Sequence, residues 1–110
     1  VNRPQRNRNP GNLKFVGQSQ ALGADLDGFA IFATDQDGWR ALVRQIQLDQ
    51  SRDMTLFQFC VKYCPTDVDY VHFMARELGV HQDVKLREIN PWTIAVHIAR
   101  KEGWFAEEKS

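Results

Sequence analysis

The stretch Arg6-Asn7-Arg8-Asn9-Pro10-Gly11-Asn12-Leu13 constrains this chain more than any other. It packs three asparagines, two arginines, a proline and a glycine ahead of the apolar Leu13. Pro10 and Gly11 in succession break both helix and strand. Each asparagine amide offers one acceptor and two donors, enough to tie an irregular loop to backbone elsewhere. Two readings follow: a loop held by its own amides, against which later helices pack, or a frayed basic N-terminal arm. The first places the Asn9 and Asn12 side chains on the backbone of the last helix or of the segment around Phe32.

Downstream, hydrophobic spacing and capping signals predict four helices. Thr34 with Asp37 three residues on is a capping-box variant, and Trp39, Leu42, Val43 and Ile46 form one apolar face, so the first helix runs from about Asp35 to Asp49. Asp35 and Asp37 suit the positive end of its dipole. Thr55 with Gln58 opens the second helix, Leu56, Phe59, Cys60 and Tyr63 give its stripe, and Pro65 ends it. Thr66 with Asp69 opens the third, whose stripe is Val71, Met74, Ala75 and Leu78 and whose end is Gly79. The short link between these two predicts a helical hairpin. Val80 to Glu88 reads as a polar connection. Asn90-Pro91 starts the fourth helix, with Pro91, Ile94, Ala95 and Ile98 on one face and Gly103 as the stop. Ahead of the helices, residues 1–12 read as loop and Gly17 to Gly28 as a long surface loop. Phe29 to Phe32 is a short apolar run, leaving room for a short β-hairpin between Leu13 and Phe32. The fold class is thus mainly α: about four helices behind an irregular N-terminal loop. At 110 residues the chain reads as a single domain, 1–110, with a loop-rich segment at 1–33 and a helical core at 34–104.

Composition closes off several function classes. No apolar run approaches the ~18 residues of a membrane span, and no signal peptide is visible. Formal charge is zero overall, yet residues 1–14 carry Arg3, Arg6, Arg8 and Lys14 and no acid. Such an end can meet an anionic polymer, although a solvated arm is the simpler reading. A nucleic-acid partner is disfavoured by the zero net charge and by the lack of a basic recognition helix. Cys60 and Cys64 share a helical face and are expected to be reduced thiols, with Cys60 buried. His72, His81 and His97 show no zinc spacing with them, so no metal is expected. Phosphate-loop and dinucleotide signatures are absent, so no cofactor is expected either.

The most informative acid is Glu102. It continues the apolar stripe of the last helix one turn beyond Ile98 and Ala99. A carboxylate on such a stripe is either partnered or functional, because an unpaired buried charge is costly. Its place in the last turn also sets it at the unfavourable end of the helix dipole. Three roles are open: a structural pair with Arg6, Arg8 or Arg40, a proton donor, or an exposed rim residue.

The opening stretch resembles that of a family of bacteriophage and prophage proteins usually called virion or structural proteins. Their pattern is Arg-Asn-x-Asn-Pro-Gly-Asn and an aliphatic residue, then Gly-Gln, Phe-Ala-x-Phe and Gly-x-Arg-Ala. Here these are Arg6 to Leu13, Gly17-Gln18, Phe29-Ala30-Ile31-Phe32 and Gly38-Trp39-Arg40-Ala41. Beyond Ala41 the likeness loosens. Thr55-Leu56 survives, Trp-Ala-Pro becomes Tyr63-Cys64-Pro65 without the Glu-Asn that usually follows, and Glu-x-Gly is reduced to Glu102-Gly103.

The resemblance implies a kinship with lysozyme-like, peptidoglycan-cleaving domains. In such enzymes a catalytic Glu ends a helix and is followed by Ser or Gly, often with Trp-Gly nearby; Glu102-Gly103-Trp104 is similar. The Asn-rich, Gly-containing segment that follows the Glu in those enzymes precedes it here, which implies a circular permutation. On this basis Glu102 is the expected catalytic acid, and Asn9, Asn12, Arg40 and Trp104 are the expected substrate-binding residues. The implied function is binding and cleavage of the glycan strand of peptidoglycan, by a transglycosylase, glucosaminidase or muramidase, in a virion or in the bacterial periplasm or cell wall. The alternative is a non-enzymatic module that binds the wall or other virion proteins. A carboxyl group in an apolar pocket favours its neutral, proton-donating form. Asp35, Asp37 and Asp67 each have a capping explanation, so no second carboxylate is assigned. A single-Glu site favours a transglycosylase.

Overall fold

Asn2 begins the first element. In the computed structural model, which describes residues 1–107, its side chain accepts from the Gln5 N–H, and the Gln5 side chain accepts from the Asn2 N–H. This reciprocal box starts a one-turn helix, α1 (Arg3–Arg6), with Pro4 buried in its first turn. Residues 1–12 are therefore not all loop. Proline at the helix start removes a donor that has no partner there anyway, so it does not prevent the turn.

Two strands follow, β1 (Ala21–Ala24) and β2 (Ala30–Phe32), paired antiparallel. Their register runs Ala21 to Phe32, Gly23 to Ile31 and Ala24 to Ala30, with an irregularity at Leu22. The expected surface loop between Gly17 and Gly28 thus contains a strand. It is short, interrupted and poor in β-branched residues, so it leaves almost no trace in the composition. Lys14 and Phe29 add an isolated bridge beyond the hairpin.

The four main helices are α2 (Asp35–Gln50), α3 (Leu56–Tyr63), α4 (Tyr70–Leu78) and α5 (Pro91–Glu102), so the architecture is mainly α with a small antiparallel hairpin near the N-terminus, as expected. Thr34 Oγ1 takes the Asp37 N–H at the start of α2. Thr55 and Gln58 form the full box at α3. Asn90 Oδ1 takes the Trp92 N–H ahead of α5. The exception is α4, which starts at Tyr70 rather than after Thr66. The Asp67 carboxylate instead accepts from the Asp69 N–H, two residues on, and holds this stretch as a turn. At its other end Gly79 is left-handed (φ 67°), and Val80 N–H reaches back to Ala75 O.

The chain divides into two units. One comprises Val1–Arg44 together with the chain from Ile98 onward, so it is built from both ends of the sequence. Its buried side chains include Leu13, Ala30, Phe32, Leu42, Ile98 and Ala99. The second is the continuous stretch Gln45–His97. Its buried side chains include Leu56, Phe59, Tyr70, Met74, Leu86 and Ile94. Each large aliphatic side chain so buried contributes about 1.5–3 kcal/mol. In this unit α3 and α4 pack as the predicted hairpin, joined by a run of rings from Phe59 through Tyr63 to Tyr70. The supposed polar connection from Val80 is more structured than expected. Leu56 and Phe57 N–H groups donate to Val84 and Gln82 carbonyls, and Leu86 to Glu88 form a 3₁₀ turn with Leu86 buried.

Candidate functional site

The Asn-rich stretch is an ordered loop. Asn9 is fully buried. Its amide donates to the carbonyls of Leu13 and Ala30, both at 3.0 Å, and its carbonyl accepts from Leu13 N–H at 2.9 Å. Asn7 is buried as well; its backbone carbonyl takes the Phe32 N–H, and its side-chain amide donates to Asp25. The loop and β2 are therefore joined by amide chemistry. Gly38, in the first turn of α2, lets the helix approach this loop. A Cβ there would lie 2.1 Å from Arg8 O and 2.8 Å from Pro10 Cδ.

The far end of α5 meets the same loop. Asn2 Nδ2 donates to Gly103 O at 2.7 Å, and Gln5 Nε2 donates to the Trp104 and Ala106 carbonyls. Gly103 takes the left-handed conformation (φ 91°) that ends α5, and Trp104 N–H closes back on Ala99 O. Glu102 stands at this end, partly buried, one turn past the fully buried Ile98 and Ala99. Its Oε1 accepts from Asn12 Nδ2 at 3.3 Å. Asn12 is itself left-handed (φ 49°), and its N–H is held by Asn9 O. Trp104 is partly buried and meets Trp39 of α2 edge to face, with ring centroids 6.0 Å apart; Phe105, more exposed, also lies against Trp39.

The structure thus gathers Asn12, Glu102 and Trp104 at one end of α5. Asn9 lies beneath them as scaffold. Its side chain is fully buried, with both amide hydrogens and the carbonyl bonded to backbone. Arg40 is exposed on α2, and among the described residues its side chain makes no ion pair or hydrogen bond. The arginines considered as partners for Glu102 lie elsewhere: Arg6 pairs with Asp25 at 3.1 Å and Arg8 with Asp35 at 3.1 Å.

Those pairs also revise the picture of a basic N-terminal end. Arg3 and Arg6 both reach Asp25, Arg3 also reaches Asp27, and Arg3 and Lys14 lie over the Phe29 ring. Much of the positive charge of residues 1–14 is offset by acids of the hairpin and of α2. Asp25 is the hub. The Asn7 amide, followed by the Phe29 and Asp27 N–H groups and the nearby Arg3, holds its carboxyl well below the usual range, at about 2.

A second acid on an apolar stripe went unnoticed in the sequence. Asp49 follows Leu42 and Ile46 on the same face of α2 and is 1% exposed. Its carboxylate takes Lys62 Nζ at 2.6 Å, Arg52 at 3.0 Å and the Gln45 amide at 3.2 Å. One turn past Ile46 the apolar stripe of α2 reaches Asp49, as that of α5 reaches Glu102. Asp49 is saturated by cations, as a buried carboxylate must be. Cys60 is buried and Cys64 partly so, both as free thiols, and burial pushes the Cys60 thiol up to about 12. Among the described residues no group of three or more His, Cys, Asp or Glu side chains is arranged to hold a metal ion. No helix among the described residues is long and apolar enough to cross a membrane.

No protein-family model matches the chain, and no curated protein matches it.

Proposed function

We propose that this chain is a phage- or prophage-type, lysozyme-like domain that binds bacterial peptidoglycan and cleaves its glycan strand, with Glu102 as the general acid. One observation carries the proposal. Glu102 ends the fully buried stripe of α5, is only partly buried itself, and has one carboxyl oxygen held by Asn12 beside the Trp39–Trp104 pair. A proton donor needs this combination of shielding, orientation and access. The aromatic edge suits a sugar ring, and the exposed Arg40 offers a cation to the wall's carboxylates.

The chemistry needs one carboxyl group. Glu102 gives its proton to the glycosidic oxygen as the bond from that oxygen to C1 breaks. The resulting carboxylate takes the proton of the sugar's own C6 hydroxyl as that oxygen closes on C1. The products are an anhydro-sugar end and a new hydroxyl end, with no water consumed and Glu102 reprotonated. Asp25 and Asp35 are engaged by arginines, which favours this route over a two-carboxylate hydrolysis.

The test is lysis of purified cell wall, with mass analysis of the fragments. Anhydro ends support the transglycosylase route and reducing ends a hydrolase. Glu102→Gln keeps shape but cannot donate a proton, so lysis falls by at least ~10²-fold while folding is little changed. Full lysis by that variant refutes the assignment. A second reading draws on the bonds from Asn2, Gln5 and Asn12 to this end of α5. They make Glu102 a structural link in a non-enzymatic wall-binding or virion module. Wild-type protein that binds wall without cutting it, and a Glu102→Gln variant that melts early, favour that reading.

A further inference from the structure

The cations near the start of the chain are engaged. Arg3 and Arg6 reach Asp25, Arg3 also reaches Asp27, Arg8 reaches Asp35, and Lys14 lies over the Phe29 ring. Arg40 and Arg44 of α2 differ. Both are exposed, and among the described residues neither side chain makes a hydrogen bond, an ion pair or a ring contact. Four positions apart, they share one helix face, about 6 Å from each other along the axis. Like charges at that spacing repel and weaken a helix. The sequence supplies no acid to relieve them, since α2 holds none from Gly38 to Leu48. Among the described residues Asp37, three positions ahead of Arg40, makes no ion pair with it. Asp35 is taken by Arg8, and Asp49 is buried against Lys62 and Arg52. The neighbours along the face, Gln36 and Gln47, are neutral and exposed. Arg100 of α5 is exposed and without such a partner too, but it has no second arginine or lysine one turn away. An unrelieved arginine pair, beside a segment that matches its own arginines to acids, is a face suited to an anion from outside.

We infer that the Arg40–Arg44 face of α2 binds the peptide-stem carboxylates of peptidoglycan, so that the domain prefers glycan that still carries its stems. This rests on the reading of the cell wall as the ligand; it adds which part of the wall is recognised and by which residues. Two features favour this anion. Both cations are arginines, whose planar fork meets a carboxylate with two parallel hydrogen bonds. The face also begins beside an aromatic edge. Trp39 directly precedes Arg40 and meets Trp104 and Phe105, the latter about half exposed. A sugar ring on that edge brings the acids of its attached peptide to the neighbouring helix face. A phosphodiester polymer would match the local charge, but the chain as a whole has a formal charge of zero, which gives a polyanion little long-range attraction. Discrete carboxylates need only the local pair.

The test compares two forms of purified wall freed of teichoic acid, one with its stems intact and one with the stems removed by an amidase. Binding of the full chain is measured by co-sedimentation in the cold. The wild type is expected to bind the stem-bearing form more tightly and to lose that preference as salt rises. Arg40→Gln and Arg44→Gln should each lower the preference roughly 3-fold, and together about 10-fold, the scale of two exposed ion pairs. Arg44→Lys keeps the charge without the fork and recovers part of the loss. Both side chains are exposed, so melting of these variants should match the wild type. Absence of any preference in the wild type, or a preference that the double variant retains, overturns the inference. An equal loss in Arg100→Gln, which removes the same charge from α5, also overturns it, because net charge and not this face would then be responsible. Tighter binding to teichoic acid or single-stranded DNA than to wall, lost in the double variant, overturns it in favour of a phosphodiester. A wild type that cuts wall while binding both forms alike removes this face and leaves the enzymatic reading standing. A wild type that neither binds nor cuts wall refutes both.

Discussion

Replacing Asn9 by alanine tests the physical claim on which the architecture of the N-terminal segment depends. Asn9 is fully buried, and its side chain makes three hydrogen bonds, all to backbone. They are not equal in value. Leu13 O also accepts from Ala30 N–H at 2.9 Å, so it keeps a partner when Asn9 is truncated. Leu13 N–H loses the acceptor that Asn9 provides, and Ala30 O loses a donor. A stranded buried group costs about 1–3 kcal/mol, so two such groups give about 2–4 kcal/mol when the second is discounted for the greater tolerance of carbonyls. Against a total of roughly 5–15 kcal/mol for a domain, this is a large fraction. It corresponds to a fall in melting temperature of roughly 8–16 °C. Urea denaturation should show a lower midpoint at unchanged slope, and hydrogen exchange should show lost protection at Leu13 and Ala30. Asn9→Asp should be worse at neutral pH, since it turns a carboxylate towards two carbonyls, and should recover as acid neutralises it. A loss below about 0.5 kcal/mol for Asn9→Ala would refute the reasoning, because no surface loop substitution needs more than that.

Three further predictions rest on separate observations. Gly38→Ala is expected to destabilise by about 1–3 kcal/mol despite the better helix propensity of alanine, because the clash is with Arg8 backbone rather than with a movable side chain; thermal melting checks it. Asp25 is held at about 2 in the folded state against an ordinary value near 3.8, so its stabilising contribution is complete above about pH 4 and is lost as pH falls through 2; the stability difference between wild type and Asp25→Asn should vanish over that window. Iodoacetamide at mildly alkaline pH should label Cys64 well before Cys60, whose thiol is buried and held up to about 12; equal labelling in the native state would contradict the packing of α3.

What was legible in the sequence was local. Thr55 with Gln58, Asn90 with Pro91, and the left-handed Gly79 and Gly103 are caps whose chemistry is complete within a few residues, and the helix ends they mark lie where expected. The failures have a common cause in choices between nearby partners or in partners far along the chain. At Thr66 a capping box and an Asp67 turn compete for the same backbone, and the turn prevails. At Asn2 the box was present in the letters, but the prolines and asparagines around it read as loop. Strand β1 has no periodic signal in its four residues. The pairing of Arg6 with Asp25, of Arg8 with Asp35 and of Asp49 with Lys62 depends on folding, and composition alone made the N-terminal end look more cationic than it is. On α5 the apolar stripe leads to Glu102, which is partly buried one turn past Ile98 and Ala99. That Asn12 would bond it, across 90 positions, could not be read from spacing.

The bonds from Asn2 to Gly103 and from Gln5 to Trp104 join positions 101 and 99 apart. Such contacts bear on the order in which the chain can assemble. The stretch Gln45–His97 is continuous and rich in local helical contacts, so it can form as soon as it is synthesised. The other unit closes a long loop, and it gains the contacts that offset that loss of entropy only once α5 is complete. On a ribosome the arginine-rich stretch must therefore wait for its partners until α5 has been made. A chain stalled before the end of α5 would lack the bond between Asn12 and Glu102.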